Sequence, residues 1–249
     1  MNFVYVRDKS DDRSIWTSVV NDDEYRIGSL APEDIVLDIG MHTGSFCARA
    51  YLAGSRRIYG FEVDEDNFRL AQANVGAFAQ LHNYAVVRSD ERKTDIVYYT
   101  GHVLMEHELN TGVGTVFGSA GRCVDRIAFD DILMQIGDEV RLVKMDCEGS
   151  EWPILMTATR LHRVHEIVGE WHLNHLDKEE ALELPFPMTL EQLACTLAED
   201  AFTTRFYARA EDMPNPIVGY FRAVNTKWRG WEPEDPWVIG VGRERVAWK

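Results

Sequence analysis

The chain has 249 residues, 45% of them apolar and 27% charged, a composition that suits a soluble globular protein with one large core and no need of disulfide or metal staples. Asp and Glu number 41 against 26 Lys and Arg, a formal charge of −15, and a field of that sign repels phosphate backbones and anionic membranes. Nucleic acid and membrane are therefore not the expected partners, no apolar run approaches the ~20 residues of a membrane span, and the acidic N-terminus does not read as a signal peptide.

The first 33 residues are polar, with acidic clusters at Asp11-Asp12 and Asp22-Asp23-Glu24. They read as an N-terminal appendage to a domain over 34–249. From Asp34 onward, short apolar runs alternate with segments of helical period, which predicts an α/β fold: a Rossmann-like, mostly parallel sheet with helices on both faces. Residues 35–40 read as a buried strand, 45–53 as a helix ending at Gly54, and 57–62 as the second strand. A helix is predicted over 67–81, where Phe68, Ala71, Val75 and Phe78 share one face, capped by Asp64 or Asp66. A third strand is predicted over 84–87 and an extra one over 96–99.

The glycine-rich stretch 101–121 matches no template. Helices are then predicted over 125–136, 150–161 and 190–200, and strands over 140–146 and 166–170. Residues 202–208 and 237–242 read as an antiparallel pair at one sheet edge. Between them, 211–236 read as a long loop or cap, with Tyr220, Phe221, Trp228, Trp231 and Trp237 either covering a substrate or packing onto the core.

Chemistry concentrates where strands end. Asp38-Ile39-Gly40-Met41-His42-Thr43-Gly44 joins a strand to a helix. Its glycines allow a sharp turn and a close ligand approach, and the helix start offers free N–H groups. The spacing is GxxxG rather than the dinucleotide GxGxxG, and Asp38 would repel a phosphate but accept from an ammonium group. Glu62 stands at the end of the second strand, about 20 residues beyond Gly40, where an acid holds ribose hydroxyls. A ribose and an amino-acid tail without phosphates describe S-adenosylmethionine. Lys144-Met145-Asp146-Cys147-Glu148-Gly149-Ser150-Glu151 follows another strand and carries a third group of ionisable side chains. Lys144, buried in its strand, would need a carboxylate partner. Asp146 and Glu148 fall beside the same pocket, although Glu148 and Glu151 also suit a helix start.

These residues resemble the FkbM-type methyltransferases, class I enzymes that use S-adenosylmethionine, over about Ile35 to Phe206. The family's LDxGANxG is matched by Leu37 to Gly44 with His42 in place of Asn. Its FEPxxxNF is matched by Phe61 to Phe68 with Val63 in place of Pro. KxDxEGxE is complete in Lys144, Asp146, Glu148, Gly149 and Glu151, while Cys123-Val124-Asp125-Arg126 stands where the family has TLDD. The resemblance implies a class I methyltransferase domain over 34–249. Asp38, Gly40 and Gly44 would line the methionine end of the cofactor, Glu62 would bind the ribose diol, Asn83 to Ala85 would approach the adenine, and Met41, His42 and Val63 would also belong to the cofactor site. Asp146 would sit near the reacting centre.

Glu170-Trp171-His172-Leu173-Asn174-His175 ends the adjacent strand. His172 is a candidate general base, and Glu170 would orient it or the substrate. Asp146, Glu170 and His172 also form a candidate set for a hard divalent ion such as magnesium. The expected activity is transfer of a methyl group to a hydroxyl of a small molecule, a sugar or a secondary metabolite. Three alternatives are an RNA or protein methyltransferase, an NAD-dependent oxidoreductase on a similar fold, and a binding protein without catalysis. Neither an NPPY-like segment nor a Pro-Cys pair is present, which argues against methylation of adenine amino groups or cytosine C5. Cys47, Cys123, Cys147 and Cys195 have neither zinc nor redox spacing, so free thiols in a reducing cytoplasm are expected.

Overall fold

The computed structural model describes residues 4–90, 97–99, 103–105, 108–112, 114, 116, 121–173, 189–209, 218–228 and 245–247. Strand β1, Ile35–Ile39, is buried at every position, which is why its sequence is a continuous apolar run rather than an alternation. Helix α2 follows as Ser45–Ala53, with the bounds its period predicts. Strand β2 is Arg57–Phe61. Helix α3 is Glu65–Val75, earlier than its apolar face suggests, because the Asp64 side chain accepts from the amides of Asp66 and Asn67 and opens the helix there. It stops before Gly76, and the chain turns into β3, Gln80–His82, which replaces the end of the predicted helix as the edge of the main sheet.

Strand β4, Ala85–Val87, does not join that sheet as expected. The described residues between β4 and the next helix form small two-stranded sheets. There β5 (Val97–Tyr99) pairs with β8 (Arg122–Val124), β6 (Val103–Met105) with β7 (Glu108–Asn110), and β4 with β9 (Arg126–Ala128). The 126–128 stretch is held in that pairing, so helix α4, Phe129–Ile136, begins later than predicted. Then come β10 (Leu142–Met145), α5 (Glu151–Thr157), β11 (Glu166–His172), α6 (Leu190–Glu199), β12 (Phe202–Arg209), β13 (Val218–Asn225) and β14 (Arg245–Ala247).

Among the described residues the main sheet has eight strands in the order β14-β12-β13-β11-β10-β1-β2-β3. It is parallel from β3 to β11 and antiparallel beyond. The antiparallel edge was expected, but the partner of β12 is Val218–Asn225, inside the stretch read as a loop or cap. Tyr220 and Phe221 are therefore sheet residues, 3% and 0% exposed, and the Trp228 ring stacks on His165 at 3.7 Å. Trp231 and 237–242 lie outside the described residues.

Side chains alternate across the strands and build two cores. Ile35, Leu37, Ile39, Val143 and Ile167 pack with Phe129 of α4, Trp152 of α5 and Leu193 of α6. Val36, Ile58, Leu142 and Val168 pack on the other face with Phe46 and Ala50 of α2 and Ala71 and Val75 of α3. Each such Val, Leu, Ile or Phe side chain contributes about 1.5–3 kcal/mol by leaving water. The second core also takes Val19, Tyr25, Ile27 and Leu30 from the N-terminal segment. In that segment a short helix, α1 (Asp12–Trp16), runs into a π-helical turn at Thr17–Asn21. No helix among the described residues is long and apolar enough to cross a membrane.

Candidate active site

Strand order reverses between β1 and β10: the chain leaves β1 toward β2 and β3, and leaves β10 toward β11. In open α/β sheets the crevice at the carboxyl ends of two such strands takes the ligand. A cavity of about 370 Å³ opens there, within the size range of small-ligand sites. Its floor is tightly built. The amide of Asp146 donates to the Ile39 carbonyl at 3.1 Å, and a Cβ on Gly40 would stand 1.9 Å from the Asp146 carbonyl oxygen. Gly40 also has φ +73°, which disfavours a side chain.

Asp38 and Lys144 face each other across β1 and β10. Asp38 is fully buried; its Oδ2 accepts from the Cys47 amide at 3.1 Å, and the Lys144 ammonium lies 3.4 Å from Oδ1. Burial pushes the Asp38 carboxyl up, and Lys144 opposes that shift. Lys144 donates to the Gly40 carbonyl at 2.7 Å and stands 3.6 Å from Asp146 Oδ2. Burial works against its charge, but Asp146 and Asp38 outweigh it and raise its pKa. The carboxylate partner expected for Lys144 is thus doubled. Asp38 is not in the cavity wall, contrary to its expected contact with the methionine end, because its oxygens are turned to Cys47 and Lys144. Gly44 is not in the wall either; a Cβ there would stand 2.7 Å from Val75 of α3, so it serves helix packing.

Gly40, Met41, His42, Glu62, Val63 and Ala85 do line the cavity. Glu62 accepts from the amides of His42 and Asp64, each at 2.8 Å. Burial raises its pKa to about 7, against those two bonds. Asn83, expected at adenine, lies behind the wall and donates to the carbonyls of Glu62 and Val63 at 2.7 and 3.2 Å. It shapes the turn instead. The His42 imidazole lies 2.7 Å from the Thr111 hydroxyl and 3.5 Å from Asp12 Oδ1. Burial lowers its pKa to about 4, so it is neutral at pH 7.

Asp146, Glu148 and Glu170 line the other end. Glu151 does not. It accepts from the amides of Cys147 and Gly149 at 2.6 and 2.8 Å and holds the turn that presents Glu148. His172 is only 3% exposed and lies behind the wall. Its Nδ1 is 3.4 Å from Glu151, and its Nε2 is 3.8 and 3.7 Å from Glu148 and Glu170. Burial opposes its charge, but the three carboxylates, Glu151 foremost, push its pKa up to about 10. That raised pKa and its place behind the wall favour a structural cation over the expected general base. The Glu148 carboxyl is pushed up to about 7 by burial. Burial and the neighbouring Asp146 raise Glu170, while for Asp146 the Lys144 ammonium overcomes burial and keeps the carboxyl low. Asn174 and His175 lie outside the described residues.

The N-terminal segment supplies wall residues for which the sequence carries no signal: Asp11, Ile15, Val19, Glu24 and Tyr25. Short acidic clusters and scattered apolar residues in a polar stretch make no motif, and only their position over the crevice marks them.

The cavity fits an adenosyl cofactor. Glu62 is a buried carboxylate with amide donors but, among the described residues, no ion-pair partner, suited to hydroxyl donors. Phe61, Val63, Tyr84, Ala85 and Val86 form an apolar slab beside it. Among the described residues, Lys144 is the one Lys or Arg in the wall, against Asp11, Glu24, Glu62, Asp146, Glu148 and Glu170, a lining that repels a pyrophosphate. A Rossmann-like sheet with this crevice and this lining is the architecture in which an S-adenosylmethionine-dependent methyltransferase would hold its cofactor. Residues 38–202 match the Methyltransferase FkbM domain, and the chain belongs to that family.

Among solved structures, the methyltransferase FkbM of Methylobacillus flagellatus is 15% identical, with a TM-score of 0.47 over 83% of this chain and 47% of its own. This chain thus spans about half the length of that relative. The precorrin-6y C5,15-methyltransferase of Geobacter metallireducens is 12% identical, with a TM-score of 0.44 over 90% of this chain and 93% of its own. TrmK of M. capricolum, solved with S-adenosylhomocysteine, is 7% identical, with a TM-score of 0.45 over 86% of this chain and 70% of its own. No curated protein matches the sequence.

Proposed function

We propose that the protein transfers the methyl group of S-adenosylmethionine to a hydroxyl of a small molecule, a sugar or a secondary metabolite, in a cytoplasmic biosynthetic reaction. The observation that carries this reading is the pair Asp146 and Glu170, side by side in the cavity and driven to opposite protonation behaviour. When bound, the cofactor supplies an electrophilic methyl on a cationic sulfur. Glu62 would accept from the ribose hydroxyls, and the Phe61 to Val86 slab would flank the base. Asp146, kept charged by Lys144, would face the cationic end. Glu170, with its raised pKa, is poised to take the proton of an acceptor hydroxyl, since a base works best with a pKa near the working pH.

The acidic wall favours a neutral or cationic acceptor over a phosphorylated one, and the charge of −15 favours a small molecule over nucleic acid or membrane. The four free cysteines support the cytoplasm. Ligand atoms of Asp146, Glu170 and His172 lie within 4.8 Å of one another. They fit a divalent ion poorly, because the Lys144 ammonium already stands 3.6 Å from Asp146 Oδ2. No step is routed through a metal.

The test begins with calorimetric titration by S-adenosylhomocysteine, with NAD as control, followed by a screen of hydroxylated acceptors with methyl-labelled S-adenosylmethionine. Glu170→Gln should lower turnover by about 10²-fold or more while leaving cofactor binding intact. Binding of NAD alone, or full turnover in the Gln variant, would overturn the reading.

A further inference from the structure

The segment around Tyr25 is held by an unusual density of anchors. Asp23 and Arg26 both have φ +50°, so the chain is left-handed on either side of the tyrosine. Asp tolerates that conformation, whereas Arg adopts it at a cost that surrounding contacts must offset. Those contacts are present. The Asp23 carboxylate takes two bonds from Arg49 of α2, at 2.9 and 2.8 Å, and Arg49 also donates to the Ile27 carbonyl at 3.1 Å. Arg222 of β13 donates to the Arg26 carbonyl at 3.1 Å, and the Tyr220 hydroxyl donates to Glu24.

The result is one fixed side chain. Tyr25 is 2% exposed, and its ring packs edge-on against Phe46 and Tyr220, with centroids 5.4 and 6.3 Å apart. Its hydroxyl reaches the cavity and donates to Asp146 Oδ2 at 3.1 Å. Among the described residues, the phenol is the hydrogen-bond donor this carboxylate has, and Lys144 is its ion-pair partner on the same oxygen. Oδ1 is left to meet a ligand. Without the phenol, the carboxylate could turn about its last torsion, which has a broad energy profile.

We infer that Tyr25 is a positioning residue that holds the Asp146 carboxylate as the counter-charge of the cationic sulfur centre, so that the site discriminates the sulfonium cofactor from its uncharged thioether product. This rests on the cofactor reading above. The N-terminal segment then completes the site and helps set which form of the cofactor it prefers.

The test is the dissociation constant of S-adenosylmethionine and of S-adenosylhomocysteine for the wild type, Tyr25→Phe, Asp146→Asn and the double variant. Asp146→Asn should weaken binding of the sulfonium about tenfold, the scale of a hydrogen-bonded charge, and barely change that of the thioether. Tyr25→Phe, which keeps the packed ring, should weaken the sulfonium by about threefold to tenfold and spare the thioether. The double variant should lose no more than Asp146→Asn alone, because the two residues act as one unit. Equal weakening of both ligands in Tyr25→Phe would mark a merely structural role and overturn the inference, as would no change or additive losses. Failure of the wild type to bind either ligand would overturn the cofactor reading itself, a result distinct from the others.

Discussion

Gly40 and Asp146 directly follow two neighbouring parallel strands and approach so closely that the first has no room for a side chain against the carbonyl of the second. That approach closes the floor of the crevice and brings the Lys144 ammonium onto the Gly40 carbonyl. Gly40→Ala meets both a clash with backbone and a left-handed φ. The φ alone costs about 1–2 kcal/mol, so a total loss above about 2 kcal/mol is expected. Urea unfolding measures it, and titration with S-adenosylhomocysteine should show binding lost. A variant as stable and as tight-binding as the wild type would contradict the close approach.

Lys144 serves two carboxylates, one buried and one in the cavity. Lys144→Met leaves Asp38 as a buried charge without its cation, and breaking such a pair costs about 3–5 kcal/mol. Combining it with Asp38→Asn should restore much of that loss, since the amide needs no counter-charge. Calorimetric melting of both proteins checks this. A double variant less stable than Lys144→Met would show that the pair does not couple.

Glu62 links stability to pH. Its folded pKa, about 7, lies above its ordinary value of 4.5, so the folded protein holds a proton there that the unfolded chain releases first. This group does not oppose folding below about pH 4.5; its destabilising effect grows as pH rises from there toward 7 and is full above 7. Glu62→Gln should therefore gain stability over the wild type between pH 5 and 8, by up to about 3 kcal/mol for a shift of this size. Melting curves across that range, without ligand, decide it. A constant difference between the two proteins would mean that Glu62 titrates normally. The same variant should bind S-adenosylhomocysteine more weakly if the carboxylate meets the ribose.

His172 neutralises a nest of carboxylates. Its raised pKa means its contribution is full below pH 6.5 and fades as pH rises through about 10. His172→Gln should be destabilised by on the order of 3 kcal/mol at pH 6, and the gap should narrow toward pH 10. Direct titration of the ring by NMR gives a second reading, and an ordinary midpoint near 6.5 would remove the basis for the imidazolium.

Chelator-treated protein should bind S-adenosylhomocysteine as the untreated protein does, and millimolar magnesium should leave its melting midpoint unchanged. A ligand present at 100 times its Kd stabilises by about 2.7 kcal/mol, so occupancy of the Asp146, Glu170 and His172 set would be plainly visible as a rise.

Much of this protein is local and therefore legible in sequence. The buried run 35–39, the helix 45–53 and the acid at 62 follow from short-range patterning, and the ordered motifs at 37–44, 61–68 and 144–151 carry the family resemblance. Where a neighbour in space competes with local preference, the sequence misleads. The 126–128 stretch is drawn out of a helix by pairing with 85–87. Residues 218–225 look like part of a Pro-rich loop until β11 and β12 flank them. His172 looks like a base, yet its protonation depends on carboxylates at 148, 151 and 170 that close around one ring. Asp38 looks like a ligand residue, yet Lys144 and Cys47 turn it inward. Tyr25 carries no motif at all.

By itself the sequence determined the class of fold, the placing of the crevice at strand ends, and the family, because these depend on periodicity and on residues close in the chain. Only the tertiary structure decided which acids face the cavity, which of them keep their protons, and that an N-terminal tyrosine reaches Asp146. Burial and Coulomb interaction act through space, and their magnitude depends on distances of a few ångströms that the order of residues does not contain.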